Sequence, residues 1–227
     1  MTRAGSPLIA ALDTAELDRL VALAAQLGPH VGHLKVGLQA YTAHGAAAVA
    51  AAAAHAPVFL DLKLHDIPST VAGAAAAVNA FGVAMLTVHA GGGPRMLAAA
   101  VKAAPDVMIL GVTVLTSLDD ADLDAVGQRP VAEQVVRLAT LAAEAGAGGI
   151  VCAPPDVRAV RAAVGTDVVL VVPGVRPAGS DDDDQARTAT PRAAIEAGAD
   201  HLVIGRPITG AADPADAARA ILAELRR

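Results

Sequence analysis

The hydrophobic pattern of this chain changes period repeatedly from one end to the other. Runs that alternate apolar with polar residues, or are apolar throughout, fall at Leu8–Leu12, His33–Gly37, Val58–Lys63, Met85–His89, Val107–Thr113, Gly149–Cys152, Val168–Val172 and Leu202–Gly205, and read as strands. The stretches between them read as helices: Ala15–Leu27, Leu38–His55, Ser69–Phe81, Pro94–Ala103, Val131–Ala145, Pro155–Val164, Pro191–Ala197 and Pro214–Leu225. About eight copies of one strand–helix unit predict an α/β fold, a closed (β/α)8 TIM barrel rather than an open doubly wound sheet. Punctuation agrees with this reading. Asp13-Thr14 with Glu16, Pro155-Asp156, Thr190-Pro191 and Asp213-Pro214 suit helix starts. Gly28, Gly82, Gly146, Gly165 and Gly198 follow helix ends. No composition break or Gly/Ser linker divides the chain, so residues 1–227 are expected to form a single catalytic domain.

One strand places charge where core is expected. In Leu60-Asp-Leu-Lys-Leu-His-Asp-Ile-Pro-Ser-Thr70, the three leucines 60, 62 and 64 make one face, while Asp61 and Lys63 share the other. Asp66 follows just past the strand end. Two carboxylates and an ammonium so close together are costly to bury unless the site uses them. Lys35, in His33-Leu-Lys-Val-Gly37, lies opposite Leu34 and Val36, and inside a barrel its ammonium needs an anion. A permanent pair with Asp61 is the structural alternative for Lys35. Asp13 closes the first strand as a site residue or as a helix cap, and Asp66, ahead of Ile67-Pro68, has the same two readings. Together Lys35, Asp61, Lys63 and Asp66 form an alternating set of cations and anions. Flanking carboxylates favour the charged form of Lys63. A charged lysine is a poor nucleophile and a poor base, but a good proton donor to a carbanion and a fixed positive charge beside one.

Composition narrows the partners. Apolar residues make up 54% of the chain but aromatics only 1%, so a stacking platform for nucleic-acid bases is nearly excluded. A net charge of -6 argues against a nucleic-acid backbone as partner, without excluding a small anionic substrate held by a local basic cluster. At 227 residues the chain buries enough surface to need no disulfide staple. Its single cysteine, Cys152, reads as a buried free thiol in a reducing cytoplasm. Leu8–Leu12 is too short for an export signal, and Ala46–Ala54 is too short for a membrane helix.

A second constellation lies late in the chain. Val172-Pro-Gly-Val-Arg176 ends the seventh strand and Ile204-Gly-Arg-Pro207 ends the eighth. Glycines allow close backbone approach, arginine forks suit phosphate, and the loops after barrel strands seven and eight commonly hold one. The acidic run Asp181–Asp184 between them reads as a solvated loop tip rather than a metal site. Residues around it are placed to act as a lid, with Gln185 reaching the substrate. His65 and His89 have no recognisable metal-ligand spacing and read as hydrogen-bonded rim residues.

These residues together carry a resemblance. The Leu60–Thr70 segment resembles the signature of the orotidine 5′-phosphate decarboxylase family. The likeness runs through Ala11-Leu-Asp13, Lys35-Val-Gly37, Leu115-Thr-Ser117, Pro173-Gly-Val-Arg-Pro177, Asp184-Gln-Ala-Arg187, Ala189-Thr-Pro191 and Ile204-Gly-Arg-Pro207. The resemblance implies conversion of orotidine 5′-monophosphate to uridine 5′-monophosphate (UMP) and CO₂, the last step of pyrimidine nucleotide synthesis, with no cofactor and no metal. It implies that Lys63 protonates C6 of the pyrimidine, and that Asp61, Lys35 and Asp66 complete the charged network. Asp13 and Lys35 would hold the ribose hydroxyls, and Thr116 would contact the base. Arg176, Gln185, Gly205 and Arg206 would hold the phosphate and its closing loop. Ile67 falls among the expected substrate-binding residues. By the same likeness the protein is a homodimer in which Asp66 and Thr70 reach the neighbouring subunit's site. The Asp-x-Lys-x-x-Asp core alone also fits a Mg²⁺-dependent keto-sugar-phosphate decarboxylase of the same superfamily. A catalytically silent nucleotide-binding barrel is the non-enzymatic alternative.

Overall fold

A computed structural model describes residues 5–177 and 189–226. Eight parallel strands pair in chain order and close, with β8 returning to β1. They are β1 (Leu8–Ala11), β2 (His33–Gly37), β3 (Val58–Leu64), β4 (Met85–His89), β5 (Met108–Val112), β6 (Gly149–Val151), β7 (Val169–Val172) and β8 (His201–Ile204). The helices are α1 (Leu17–Leu27), α2 (Leu38–His44), α3 (Ala46–Ala53), α4 (Pro68–Asn79), α5 (Pro94–Ala103), α6 (Asp120–Ala125), α7 (Val131–Glu144), α8 (Val157–Val164), α9 (Pro191–Ala197), α10 (Arg206–Thr209) and α11 (Pro214–Glu224). The (β/α)8 barrel expected from the period changes is therefore present. Among the described residues no helix is long and apolar enough to cross a membrane.

Strand alternation divides the apolar residues into two cores. Ile9, Ala11, Phe59, Met85, Leu110, Val171 and Val203 pack against one another inside the barrel. The other parity, with Leu8, Leu34, Leu60, Leu86 and Leu202 among it, packs outward against helix faces such as Leu20 and Leu27 of α1 and Val135 of α7. This is why nearly continuous apolar strands are needed: both faces are covered. With so few aromatic residues, the inner core is filled by branched aliphatic chains, two methionines and Phe59.

Local chemistry explains most of the boundaries. Thr190 and Asp213 accept hydrogen bonds from the Ala193 and Asp216 amides and cap α9 and α11, each of which opens with proline. Asp13 does not cap α1, whose N-cap is Glu16 and makes no side-chain cap hydrogen bond. The expected helix 38–55 is two helices, α2 and α3, because Gly45 takes φ 56° and breaks the hydrogen-bond ladder. Helix α6 was not expected from periodicity. It is short but carries a reciprocal capping box between Asp119 and Asp122.

The lower end of the barrel holds a histidine pair. His33 and His201 begin β2 and β8 on the inward parity of Lys35 and Val203, and their rings meet edge to face at 5.3 Å. The Nδ1 atoms of both are buried without a hydrogen-bond partner. Burial, with neighbouring His201 adding to it, pushes the His33 imidazole down to about 4 from 6.5. Burial also lowers His201, partly offset by Asp200 and a hydrogen bond to the Pro7 carbonyl. Both are thus neutral when folded, whereas the unfolded chain takes up protons below its ordinary pKa near 6.5. Stability is then full above about pH 6.5 and is lost as pH falls toward the folded value near 4. Thermal unfolding should show Tm falling between pH 7 and pH 4.5, and the fall should be shallower in His33→Leu. Parallel Tm profiles for the two proteins would count against this account.

Candidate active site

The carboxyl ends of the strands surround a cleft of about 480 Å³, the face on which barrel enzymes carry their chemistry. Ala11, Phe59, Val151 and Val203 of the inner core form its apolar floor. Above this floor stand Asp13, Lys35, Asp61 and Lys63. Asp61 is the hub. Both its carboxylate oxygens accept from Lys63 Nζ, at 2.8 and 2.9 Å, and Lys35 Nζ lies 3.6 Å from Oδ2. Lys35 Nζ donates in turn to Asp13 Oδ1 at 2.9 Å. Lys35 therefore bridges two carboxylates: it pairs with Asp61, and Asp13 makes an ion pair on the cleft wall rather than capping α1. Burial alone would raise the Asp61 carboxyl. Lys35 and Lys63, helped by hydrogen bonds from Lys63 and Thr87, outweigh that and hold it below its usual value.

The backbone makes room for this network in two places. At Gly37 a Cβ would lie 2.9 Å from both Asp13 Oδ1 and Lys35 Nζ, so a side chain there would push the ion pair from its present position. At Lys63 the chain takes φ 49°, the one described residue other than glycine in the left-handed region. The strand is also out of register there. Leu60 pairs with Leu86 and Leu64 with Val88, so β3 spends four steps where β4 spends two. Plain alternation predicts a regular strand with Asp61 and Lys63 on one side. Instead a bulge re-aims Lys63 while keeping its ammonium on Asp61. A non-glycine residue held at such a φ costs on the order of 1–3 kcal/mol, and such strain concentrates at functional sites.

Toward the rim the cleft is lined by Thr116 from the segment after β5, by Gly174 and Arg176 after β7, and by Gly205 and Arg206 after β8. Helix α10 is the short extra helix that begins at Arg206. Arg176 is fixed by its backbone: its amide donates to the Ala189 carbonyl at 2.9 Å beside a parallel bridge between Val175 and Ala189. The result is a cleft with an apolar floor, a charged wall of alternating sign, and two arginines among the rim residues. Such a site suits a small anion with a flat apolar body.

The family model described as Orotidine 5'-phosphate decarboxylase / HUMPS family matches residues 6–221. The chain belongs to this family. It is 56% identical over 225 residues to an orotidine 5'-phosphate decarboxylase from Thermobifida fusca (strain YX), covering 98% of this chain and 97% of that one. It is 60% identical over 221 residues to one from Anaeromyxobacter sp. (strain K), covering 96% and 97%. Among solved structures it is similar to orotidine 5'-phosphate decarboxylase from Lactobacillus acidophilus, with TM-score 0.86, 35% identity, and coverage of 98% and 100%.

In this member of the orotidine 5'-phosphate decarboxylase / HUMPS family, the residues singled out from sequence fall into three groups. Asp13, Lys35, Asp61, Lys63, Thr116, Arg176, Gly205 and Arg206 line one cleft. Asp66, Ile67 and Thr70 do not join them: all three are exposed, and Asp66 Oδ1 accepts from the Ile67 amide at 2.6 Å. The four-charge array thus has three members in one chain, and Asp66 does not cap α4 either, whose N-cap Ile67 has no side-chain cap hydrogen bond. Gln185 and Asp181–Asp184 lie outside the described residues. His65 and His89, expected to be hydrogen-bonded, face each other as rings with centroids 5.5 Å apart. Cys152 is buried as expected and also lines the cleft. Sequence reasoning missed Gln39, Thr209 and above all Thr87. Its signal was legible: a hydroxyl at the inward position of the apolar run Met85–His89.

Proposed function

We propose that this chain converts orotidine 5′-monophosphate to UMP and CO₂, the closing step of pyrimidine nucleotide synthesis. The observation that carries the reading is the Lys35–Asp61–Lys63 network on the wall of a cleft that Arg176 and Arg206 also line. The C6–carboxylate bond breaks, its electron pair stays on C6, and CO₂ departs. The proton on Lys63 Nζ then moves to C6, giving UMP, and solvent restores the ammonium. Little of the charge on C6 spreads into the ring, so stabilisation must come from positive charge already in place. Asp61 provides that placement by holding Lys63 with both oxygens, while Lys35 neutralises Asp61 and is itself fixed by Asp13. At the rim, the arginines clamp the phosphate, and that remote binding energy positions the base against Lys63. The test is spectrophotometric. Orotidine 5′-monophosphate should be consumed with chelator present; consumption only with Mg²⁺, or activity on a keto-sugar phosphate instead, would favour the sibling enzyme.

The reading extends to a homodimer with shared sites, in the cytoplasm. It is supported by the outward position of Asp66 and Thr70, by an Ile67 that is 64% exposed beside them, and by the one buried cysteine. Under two-fold symmetry, Asp66→Asn and Lys63→Ala chains should complement. Each is inactive alone, but a heterodimer holds one intact site of two. An equal mixture after subunit exchange should regain about a quarter of native activity. A mixture that stays inactive while heterodimers form would argue for sites built from one chain.

A further inference from the structure

We propose that Thr87 is a positioning residue for the decarboxylation, one hydroxyl that locks the Lys63 bulge to the Asp61 carboxylate; this rests on the function proposed above. Thr87 is 1% exposed and sits on β4 directly across from the bulge, between the paired residues Leu86 and Val88. Its Oγ1 accepts from the Lys63 amide at 2.8 Å and donates to Asp61 Oδ1 at 2.9 Å. The directions are fixed by chemistry. An amide can only donate and a carboxylate can only accept, and the hydroxyl has one proton and free lone pairs to satisfy both.

The consequence is a closed loop of contacts. Lys63 Nζ holds Asp61, Asp61 holds Thr87, and Thr87 holds the Lys63 backbone at its left-handed φ of 49°. A regular strand would supply a carbonyl to each amide. Here the bulge has moved Lys63 out of register, and a side chain on the neighbouring strand takes over that duty. Thr87 therefore sets two coordinates of the reaction at once: where the Lys63 chain begins, and how the Asp61 carboxylate is turned. It is not among the residues lining the cleft, so it acts only through those two. A buried hydroxyl between an amide and a carboxylate also leaves both without that partner if it is removed.

Valine keeps the shape of threonine and deletes the hydroxyl; serine keeps the hydroxyl and deletes a methyl. Thr87→Val should lower kcat roughly 10- to 100-fold, the effect of losing one charge-assisted hydrogen bond and stranding an amide. UMP affinity should change by no more than about twofold, because the phosphate rim is untouched. Thr87→Ser should keep kcat within about threefold of native, since both hydrogen bonds survive. Thr87→Ala, which also lacks the hydroxyl, gives a second measurement if the valine variant does not fold. Native kcat in the valine variant, an equal fall in the serine variant, or a parallel loss of UMP affinity would each overturn the proposal. The native protein run alongside separates the two claims. If it fails to turn over orotidine 5′-monophosphate, the function falls and takes this inference with it. If it is active and the valine variant is equally active, only the role of Thr87 falls.

Discussion

Lys63→Ala is expected to abolish UMP formation while leaving a folded protein that still binds UMP. Two contributions are lost together. A positioned proton donor is worth about 10²–10⁴ in rate, and a fixed positive charge beside a developing anion about 10²–10³. Because the two act on one carbon they need not multiply, so a fall of roughly 10⁴-fold in kcat is the expected scale. The rest of the network explains why the fold should survive. Without Lys63, Asp61 keeps Lys35 at 3.6 Å and the Thr87 hydroxyl at 2.9 Å, so its charge is not stranded. Alanine at position 63 inherits the left-handed backbone and its strain, and no new side-chain clash is introduced. Single-turnover decarboxylation and equilibrium UMP binding, measured on the same preparation, check this. Near-native turnover would remove Lys63 from the role of donor, and loss of UMP binding with unchanged Tm would mean that its main work is binding.

Arg206→Ala should weaken UMP binding by about 10²-fold, the effect of losing one or two charge-assisted hydrogen bonds to a phosphate. It should lower kcat/KM for the full substrate by more. In the mechanism proposed above, phosphate binding energy holds the base against Lys63, so a loosened phosphate loosens the reacting end. Uridine supplies the control. Lacking the phosphate, it should bind the native and variant proteins equally. Rising salt should narrow the gap for UMP, because the lost contact is ionic at an exposed rim. An unchanged UMP affinity, or an equal loss for uridine, would count against the phosphate role of Arg206.

Much of this could be seen in the sequence because two-residue and 3.6-residue periods are local properties. Strands such as Met85–His89 and His33–Gly37 keep the bounds their alternation predicts. The charged positions at strand ends were also visible, since Lys35, Asp61 and Lys63 interrupt runs that otherwise pack. What escaped was set by contacts between elements. Asp61-Leu62-Lys63 has the spacing of an ordinary strand, yet β3 bulges there, and the Lys63 amide finds its acceptor in the Thr87 side chain of another strand. Asp13 has the position of a helix cap, but an ammonium 22 residues later competes for it and wins at 2.9 Å. The break at Gly45 hid inside an alanine-rich run whose composition favours helix on both sides. Asp66 fits a charge array by sequence spacing alone, but it is not among the residues lining the cleft, and its carboxylate accepts from the adjacent Ile67 amide.

The most direct test runs the native protein on orotidine 5′-monophosphate in D₂O with a chelator present, reading C6 of the product by proton NMR and trapping CO₂. Decarboxylation with protonation by Lys63 predicts UMP deuterated at C6, formed one for one with CO₂. Substrate left unchanged under these conditions, or a reaction that stops when divalent metal is removed, would contradict it.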